Sequence, residues 1–244
     1  MNIVLLLTAC VNPNGMAFTA LQDGEERLIQ YIKSIKYYLG STSAKIVVVE
    51  NTNFNIQKYI DFSYPKEQLE FLYFDGNNYD KEKGKGYGEA LILKYAFENS
   101  LFLEDADVVV KISGRYIASN LHQILFCIKQ SNTVYANSSM IRGRKLCDSR
   151  LFAAPPSFYK KYFLPFSSSI NDSHQNYFEH VLFEATIHWT KCNKPYREFF
   201  FPLLFVGTTG STGKKIVNSK FPYITSIVKF IMHKLGINSS LIIQ

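Results

Sequence analysis

Four short apolar runs, at residues 2–8, 44–49, 69–74 and 108–112, constrain this chain more than anything else in it. Each is short for a buried helix, and none shows the polar alternation of a half-exposed strand. They read as strands, the first, second and fourth of them buried. Between the first two, Leu28, Tyr31, Ile32, Ile35 and Tyr38 recur at helical spacing within residues 24–39. A second helical stretch, 90–100, precedes the fourth run. Alternation of this kind predicts an α/β fold: an open, mostly parallel central sheet with right-handed crossovers, flanked by helices. Such sheets meet their ligands at the carboxyl ends of the strands. Those ends are residues 8–11, 50–52, 75–78 and 113–116.

With 244 residues the chain can bury one large core or two small ones, and nothing in it demands a linker. Apolar residues make up 47% and charged residues 19%, which excludes a disordered chain. The net charge of +7 favours anionic partners, whether nucleotide, phosphate, acidic lipid or nucleic acid. Cys10, Cys127, Cys147 and Cys192 lack CxxC pairing and metal spacing, and read as free thiols in a reducing compartment. Leu6-Leu7-Thr8-Ala9-Cys10 looks like a lipoprotein cleavage box, but the apolar run before it is too short and lacks a basic segment, so a first strand is expected there. No apolar run approaches the ~20 residues that cross a bilayer.

Downstream, helices are expected at 120–130 and 173–191, and strands at 133–139, 141–146 and 199–206. A glycine loop at 207–215 carries Lys214 and Lys215. Residues 221–235 have an amphipathic pattern that suits either a membrane-surface helix or one packed on the core.

The segment Gly84-Lys85-Gly86-Tyr87-Gly88-Glu89 reads as a flexible loop ahead of the helix at 90–100. Glycines allow close backbone approach, and a helix N-terminus offers unpaired N–H groups to an anion. Lys111 and Arg115 add positive charge at the end of the fourth strand. Strand alternation would set Lys111, Ser113 and Arg115 on one face as a joint cationic site.

Several motifs now stand in order: an apolar strand ending Leu7-Thr8-Ala9, Arg27 in the first helix, a strand ending Val49-Glu50-Asn51, then Lys85-Gly86-Tyr87-Gly88-Glu89 and Lys111-Ile112-Ser113-Gly114-Arg115-Tyr116. This order resembles the nucleotide-sugar glycosyltransferases of the GT-A type found in bacterial O-antigen and capsule assembly. The resemblance covers residues 2–120 and extends more loosely to 213. It implies a single GT-A-like, Rossmann-related domain: 1–120 as the donor half, 121–218 as the acceptor and catalytic half, and 219–244 as a C-terminal amphipathic helix. It also implies that Thr8, Ala9, Glu50 and Asn51 meet the base or ribose, with Arg27 behind them. Lys85, Gly86, Gly88 and Glu89 would line the ribose–diphosphate side.

The sequence departs from that family after the fourth strand. GT-A enzymes usually carry Asp-x-Asp there, holding Mn²⁺ or Mg²⁺ against the diphosphate. Here the position reads Ser113-Gly114-Arg115, while Asp105-Ala106-Asp107 lies before the strand, at the end away from the ligand. A Lys/Arg pair repels a divalent cation, so transfer without a required metal is expected, with Mn²⁺ or Mg²⁺ as the alternative. Lys111 or Arg115 would neutralise the leaving diphosphate, and Lys214 with Lys215 would close over it. Inversion at a sugar carbon needs a carboxylate to take the acceptor's proton. Glu179 occupies the comparable place, with Asp172 and Glu184 as rivals. Asp148 and Arg150 either border the acceptor or form a structural ion pair.

The expected activity is sugar transfer from a nucleoside-diphosphate sugar to a lipid-linked glycan. It would take place in the cytoplasm, against the anionic inner face of a bacterial membrane. An alternative enzyme is a nucleotidyltransferase on a similar sheet, although residues 9–13 are not the glycine-rich loop such an enzyme carries. A basic nucleic-acid-binding module is the non-enzymatic alternative. The aromatic residues sit within apolar strands and helices rather than among exposed Lys and Arg, which argues against it.

Overall fold

The computed structural model describes residues 1–141, 144–210 and 212–216, together with Ile224 and Val228. The first half runs β1 (Ile3–Ala9), α1 (Gly24–Ser41), β2 (Lys45–Glu50), β3 (Leu69–Tyr73), α2 (Gly84–Asn99), α3 (Leu101–Glu104), β4 (Val108–Ser113) and β5 (Ile117–Ala118). The second runs α4 (Leu121–Cys127), β6 (Val134–Tyr135), β7 (Ser138–Ile141), β8 (Arg144–Cys147), β9 (Leu151–Ala154), α5 (Pro156–Phe158), α6 (Phe178–Lys191), β10 (Tyr196–Arg197), β11 (Phe205–Thr208) and β12 (Lys215–Ile216).

A seven-stranded sheet in the order β10-β6-β9-β4-β1-β2-β3 forms the middle layer. β3, β2, β1 and β4 are parallel neighbours, and β9 runs antiparallel between β4 and β6. Elements from both halves of the chain therefore share one sheet. β5, β11 and β12 make a small second sheet, and β7 pairs with β8. On one face Leu6, Val49 and Val109 pack with Leu93 of α2 and Phe178 and Trp189 of α6. On the other, Leu5, Leu7 and Val48 pack with Tyr31, Ile35 and Tyr38 of α1. A central parallel strand is covered twice, which is why its sequence is apolar without alternation.

The four apolar runs and the first helix form where the sequence predicts them. The glycine segment does not remain a loop: α2 already begins at Gly84. The reason is close packing. A Cβ at Gly84 would lie 2.2 Å from Asp172 Oδ2, and one at Gly88 2.2 Å from Tyr79 Oη. These glycines make room for side chains rather than for motion.

The helix expected at 173–191 starts later, at Phe178, because residues 171–176 close a short loop through an Asn171–Asn176 bridge. The strand expected at 199–206 shortens to β11. Pro202 has no N–H to give a ladder, and its carbonyl instead accepts from Asn120 Nδ2 at 2.8 Å. The late glycine loop folds as the turn of the β11–β12 hairpin. Apart from Ile224 and Val228, the proposed amphipathic segment 219–244 lies outside the described residues, as do positions 142 and 143 of the basic turn. Among the described residues no helix is long and apolar enough to cross a membrane.

Gly84 has φ of +77° as well as the contact with Asp172. Gly84→Ala should therefore lower unfolding stability by about 1–3 kcal/mol in urea titration. Gly40→Ala, where a Cβ meets nothing within 4 Å, should leave stability unchanged or slightly raised.

Candidate functional site

Parallel register sets Thr8 of β1 beside Ser113 of β4, and Ala9 beside Glu50 of β2. Past these tips the strands open into a cleft of about 670 Å³. Its walls are the segment after β1, the start of α2, the β4–β5 turn, the loops before β9 and α6, and the β11–β12 turn.

The floor is organised on Glu89. Its Oε1 accepts from Thr8 Oγ1 at 2.7 Å and Ser113 Oγ at 3.0 Å, and meets Lys111 Nζ at 2.6 Å. Burial pushes the Glu89 carboxyl up, but the Lys111 charge, with these hydrogen bonds, outweighs burial and holds it below the usual carboxylate range. Lys111 is fully buried. Its Nζ also donates to Ser113 Oγ and to the Ser149 carbonyl, and lies 5.3 Å from the Phe178 ring centre. The expected joint site of Lys111 and Arg115 is thus not formed. Lys111 points to the α2 face and is neutralised by Glu89, outside the cleft lining. Arg115, beyond the Gly114 turn, bonds Gln30 Oε1 of α1 at 3.3 Å and the Thr208 carbonyl at 3.2 Å.

One wall is cationic. A Cβ placed on Gly210 would stand 2.7 Å from Arg115 Nη2 and 3.9 Å from Lys85 Nζ. Two cations therefore border the same bare stretch of backbone, and both line the cleft. Lys214 is exposed and absent from the lining; its main chain pairs with Thr209 to close the hairpin turn. Gly210, rather than Lys214, is the residue of this turn that borders the cations.

Carboxylates share the cleft with these cations. Asp172 is buried and accepts from the backbone N–H groups of Gly86 and Lys85 at the start of α2. The helix end that the sequence offered to a phosphate is therefore occupied by a carboxylate of the chain itself. Burial, with the nearby Glu179 charge, pushes the Asp172 carboxyl up to about 6, against the pull of those hydrogen bonds and Lys85. Glu179, in the first turn of α6, accepts from Ser149 Oγ at 2.6 Å and lines the cleft. Glu184 is exposed and sits away from it, beside His188. Arg150 and Asp148 form an ion pair of 2.6 Å at the rim, with the guanidinium stacked over Phe205.

At the β1–β2 end, Thr8, Ala9, Arg27 and Asn51 line the cleft, as do Gly86 and Gly88 on the α2 side. Arg27 braces the wall from behind, donating to the Cys10 carbonyl at 2.6 Å and the Leu21 carbonyl at 3.1 Å. Among the described residues, no hydrogen bond reaches the buried Asn51 Oδ1. Glu50 departs from expectation. Fully buried, it accepts from the N–H groups of Val11, Thr52 and Phe54 and from the Thr52 hydroxyl, so it shapes the strand end rather than meeting a ligand. Asp105 and Asp107 lie at the amino ends of β4 and β1, away from the cleft, joined to Asn2. Among the described residues, no group of three or more His, Cys, Asp or Glu is placed to hold a metal ion.

Phe18, Tyr79, Ser149 and Tyr177 also line the cleft, and no periodic pattern points to them. Phe18 stands out only in three dimensions: it is exposed and holds φ of +56°, which is uncommon for a bulky residue.

No protein-family model and no curated protein matches the chain. Several solved structures resemble it. The inositol-1-phosphate CTP transferase of T. maritima is 13% identical, with 94% of this chain and 96% of that one covered and a TM-score of 0.46. A cytidylyltransferase from Leptospira borgpetersenii is 14% identical, with 100% and 98% covered and a TM-score of 0.43. A protein described as a nucleotide-diphospho-sugar transferase from Desulfovibrio desulfuricans is 12% identical, with 81% and 79% covered and a TM-score of 0.45.

Because the Asp172 pKa is raised on folding, its protonated form is the stabilising one. That contribution is complete below the unfolded value near 4 and is lost as pH rises through about 6. Asp172→Asn should flatten the pH dependence of melting temperature between pH 4 and 7. At pH 8 it should be more stable than the wild type by about 1–2 kcal/mol.

Proposed function

We propose that this chain is a nucleotide-dependent transferase that holds a nucleoside di- or triphosphate across its strand tips. The observation that carries this is the pairing of Arg115 and Lys85 around Gly210, in one cleft with Glu179 and Asp172. Fixed cations there neutralise charge that grows on a departing phosphate. Carboxylates in the same cleft suit activation of an incoming group.

Two chemistries fit this arrangement. In glycosyl transfer, an acceptor hydroxyl gives its proton to Glu179 as its oxygen bonds the anomeric carbon. The bond to the diphosphate breaks, and its electrons pass to a phosphate oxygen beside Arg115 and Lys85. Ser149 fixes the orientation of Glu179. The acceptor would be a glycan, lipid-linked in bacterial surface-polysaccharide assembly, and the net charge of +7 supports work at an anionic membrane surface. In nucleotidyl transfer, an anionic acceptor attacks the α-phosphorus of a nucleoside triphosphate and pyrophosphate leaves against the same cations. The segment after β1 supports this second chemistry. Although not glycine-rich, it folds over the cleft with Asn14, Gly15 and Phe18 at positive φ, tied down by the Ala20 N–H to the Gly210 carbonyl at 2.8 Å.

A thermal-shift series with UDP, GDP, CMP, dTDP and CTP identifies the nucleotide, since a ligand of the native state raises its stability. Product analysis then separates the chemistries: nucleoside diphosphate is released from a nucleotide sugar in one, pyrophosphate from a triphosphate in the other. Arg115→Ala should weaken binding of the identified nucleotide roughly 10- to 100-fold; unchanged affinity would remove Arg115 from the role. Because Arg115 and Lys85 supply the positive charge, turnover should persist in EDTA, and loss of activity restored by Mn²⁺ would reverse that part of the proposal.

A further inference from the structure

Glu89 is held in a lopsided way. Thr8, Ser113 and Lys111 all approach one oxygen, Oε1. Among the described residues no hydrogen bond reaches Oε2, and the side chain, 20% exposed, lines the cleft floor. An ionised oxygen is thereby presented between the tips of β1 and β4. It repels a phosphate, so the diphosphate belongs on the Arg115–Lys85 wall. The group above Glu89 must carry hydrogen-bond donors. The structure is tight enough to fix where Oε2 points: Thr8 and Ser113 are set side by side by strand register, and Lys111 has no exposed surface through which to leave.

We propose that Glu89 Oε2 is a specificity-determining acceptor for a hydroxyl of the nucleotide substrate, on either the ribose or the transferred sugar. The proposal rests on the nucleotide reading of the cleft and deepens it. Glu89 does not act as a base, because Lys111 and the two hydroxyls hold its proton affinity low. It selects. A substrate lacking the hydroxyl leaves a partly buried anion without its partner, and sites that hydrogen-bond a substrate hydroxyl discriminate strongly against the analogue without it. Lys111 and Thr8 are positioning residues, fixing Oε1 so that Oε2 is the oxygen that faces the ligand.

The test is calorimetric binding to the full chain. Its probes are the nucleotide found by thermal shift, the 2′- and 3′-deoxyribose forms of that nucleotide, and nucleotide sugars lacking single sugar hydroxyls. One deoxy analogue should bind roughly 10- to 100-fold more weakly than its parent, and whether it is a ribose or a sugar analogue names the source of the hydroxyl. In Glu89→Gln that gap should shrink to within about threefold, with parent affinity reduced and analogue affinity kept. Because Glu89→Gln leaves Lys111 buried and unpaired, the double variant Glu89→Gln/Lys111→Met serves where the single one fails to fold; it should likewise lose the gap. Equal binding of all analogues by the wild type overturns the proposal while the nucleotide site stands. An undiminished gap in the variants does the same. Absence of any nucleotide binding overturns the underlying reading together with it.

Discussion

A lysine ammonium with no exposed surface is held beneath the strand tips by a glutamate, a serine hydroxyl, a backbone carbonyl and an aromatic ring. Taking such a charge out of water costs several kcal/mol, and removing one partner from a buried pair typically costs about 3–5 kcal/mol. Lys111 and Glu89 answer that cost through contacts drawn from β1, β4, α2, the loop before β9 and the first turn of α6. The pair therefore joins the parallel sheet to the helices that cover it on the α2 side. The geometry of the cleft floor follows from it. Thr8 and Ser113 are drawn inward, the Ser149 carbonyl is fixed, and Ser149 in turn orients Glu179.

Charge of both signs shares the cleft. Arg115 and Lys85 converge near Gly210, while Asp172, which accepts from the Lys85 N–H, and Glu179 and Glu89 bring carboxylates to the same lining. The arrangement is costly: Asp172 keeps its carboxylate near Glu179 in a buried position, with its proton affinity raised accordingly. Groups pushed away from their ordinary titration range in a cleft are a recurring mark of functional sites.

The sheet was legible because parallel strands buried on two faces leave an unmistakable record in apolar runs. Thr8, Ala9, Asn51, Arg115 and Glu179 were legible as cleft-lining positions because each stands at a strand end or a helix start, where topology dictates exposure to a ligand. The functions of Lys111 and Gly84 were not. A lysine inside an apolar run announces that something neutralises it, but the partner, Glu89, is 22 residues away and faces it only once α2 is laid on the sheet. Glycines spaced two apart read equally well as a flexible loop and as a packed helix start. Deciding between these needs Asp172 and Tyr79, which no local pattern connects to them. Glu50 misled for the same reason: its strand-end position is right for a ligand contact, and the hydrogen bonds that claim it come from a loop whose path periodicity does not predict.

Asp172 gives α2 a built-in counter-anion. The partial positive charge of a helix terminus usually contributes a fixed, sequence-independent attraction for phosphate. Here that attraction is already spent inside the molecule, so the field that reaches the cleft comes from charged side chains instead of backbone dipoles. The affinity of such a receptor for an anion rests on what holds those side chains, and Gln30 with the Thr208 carbonyl does so for Arg115.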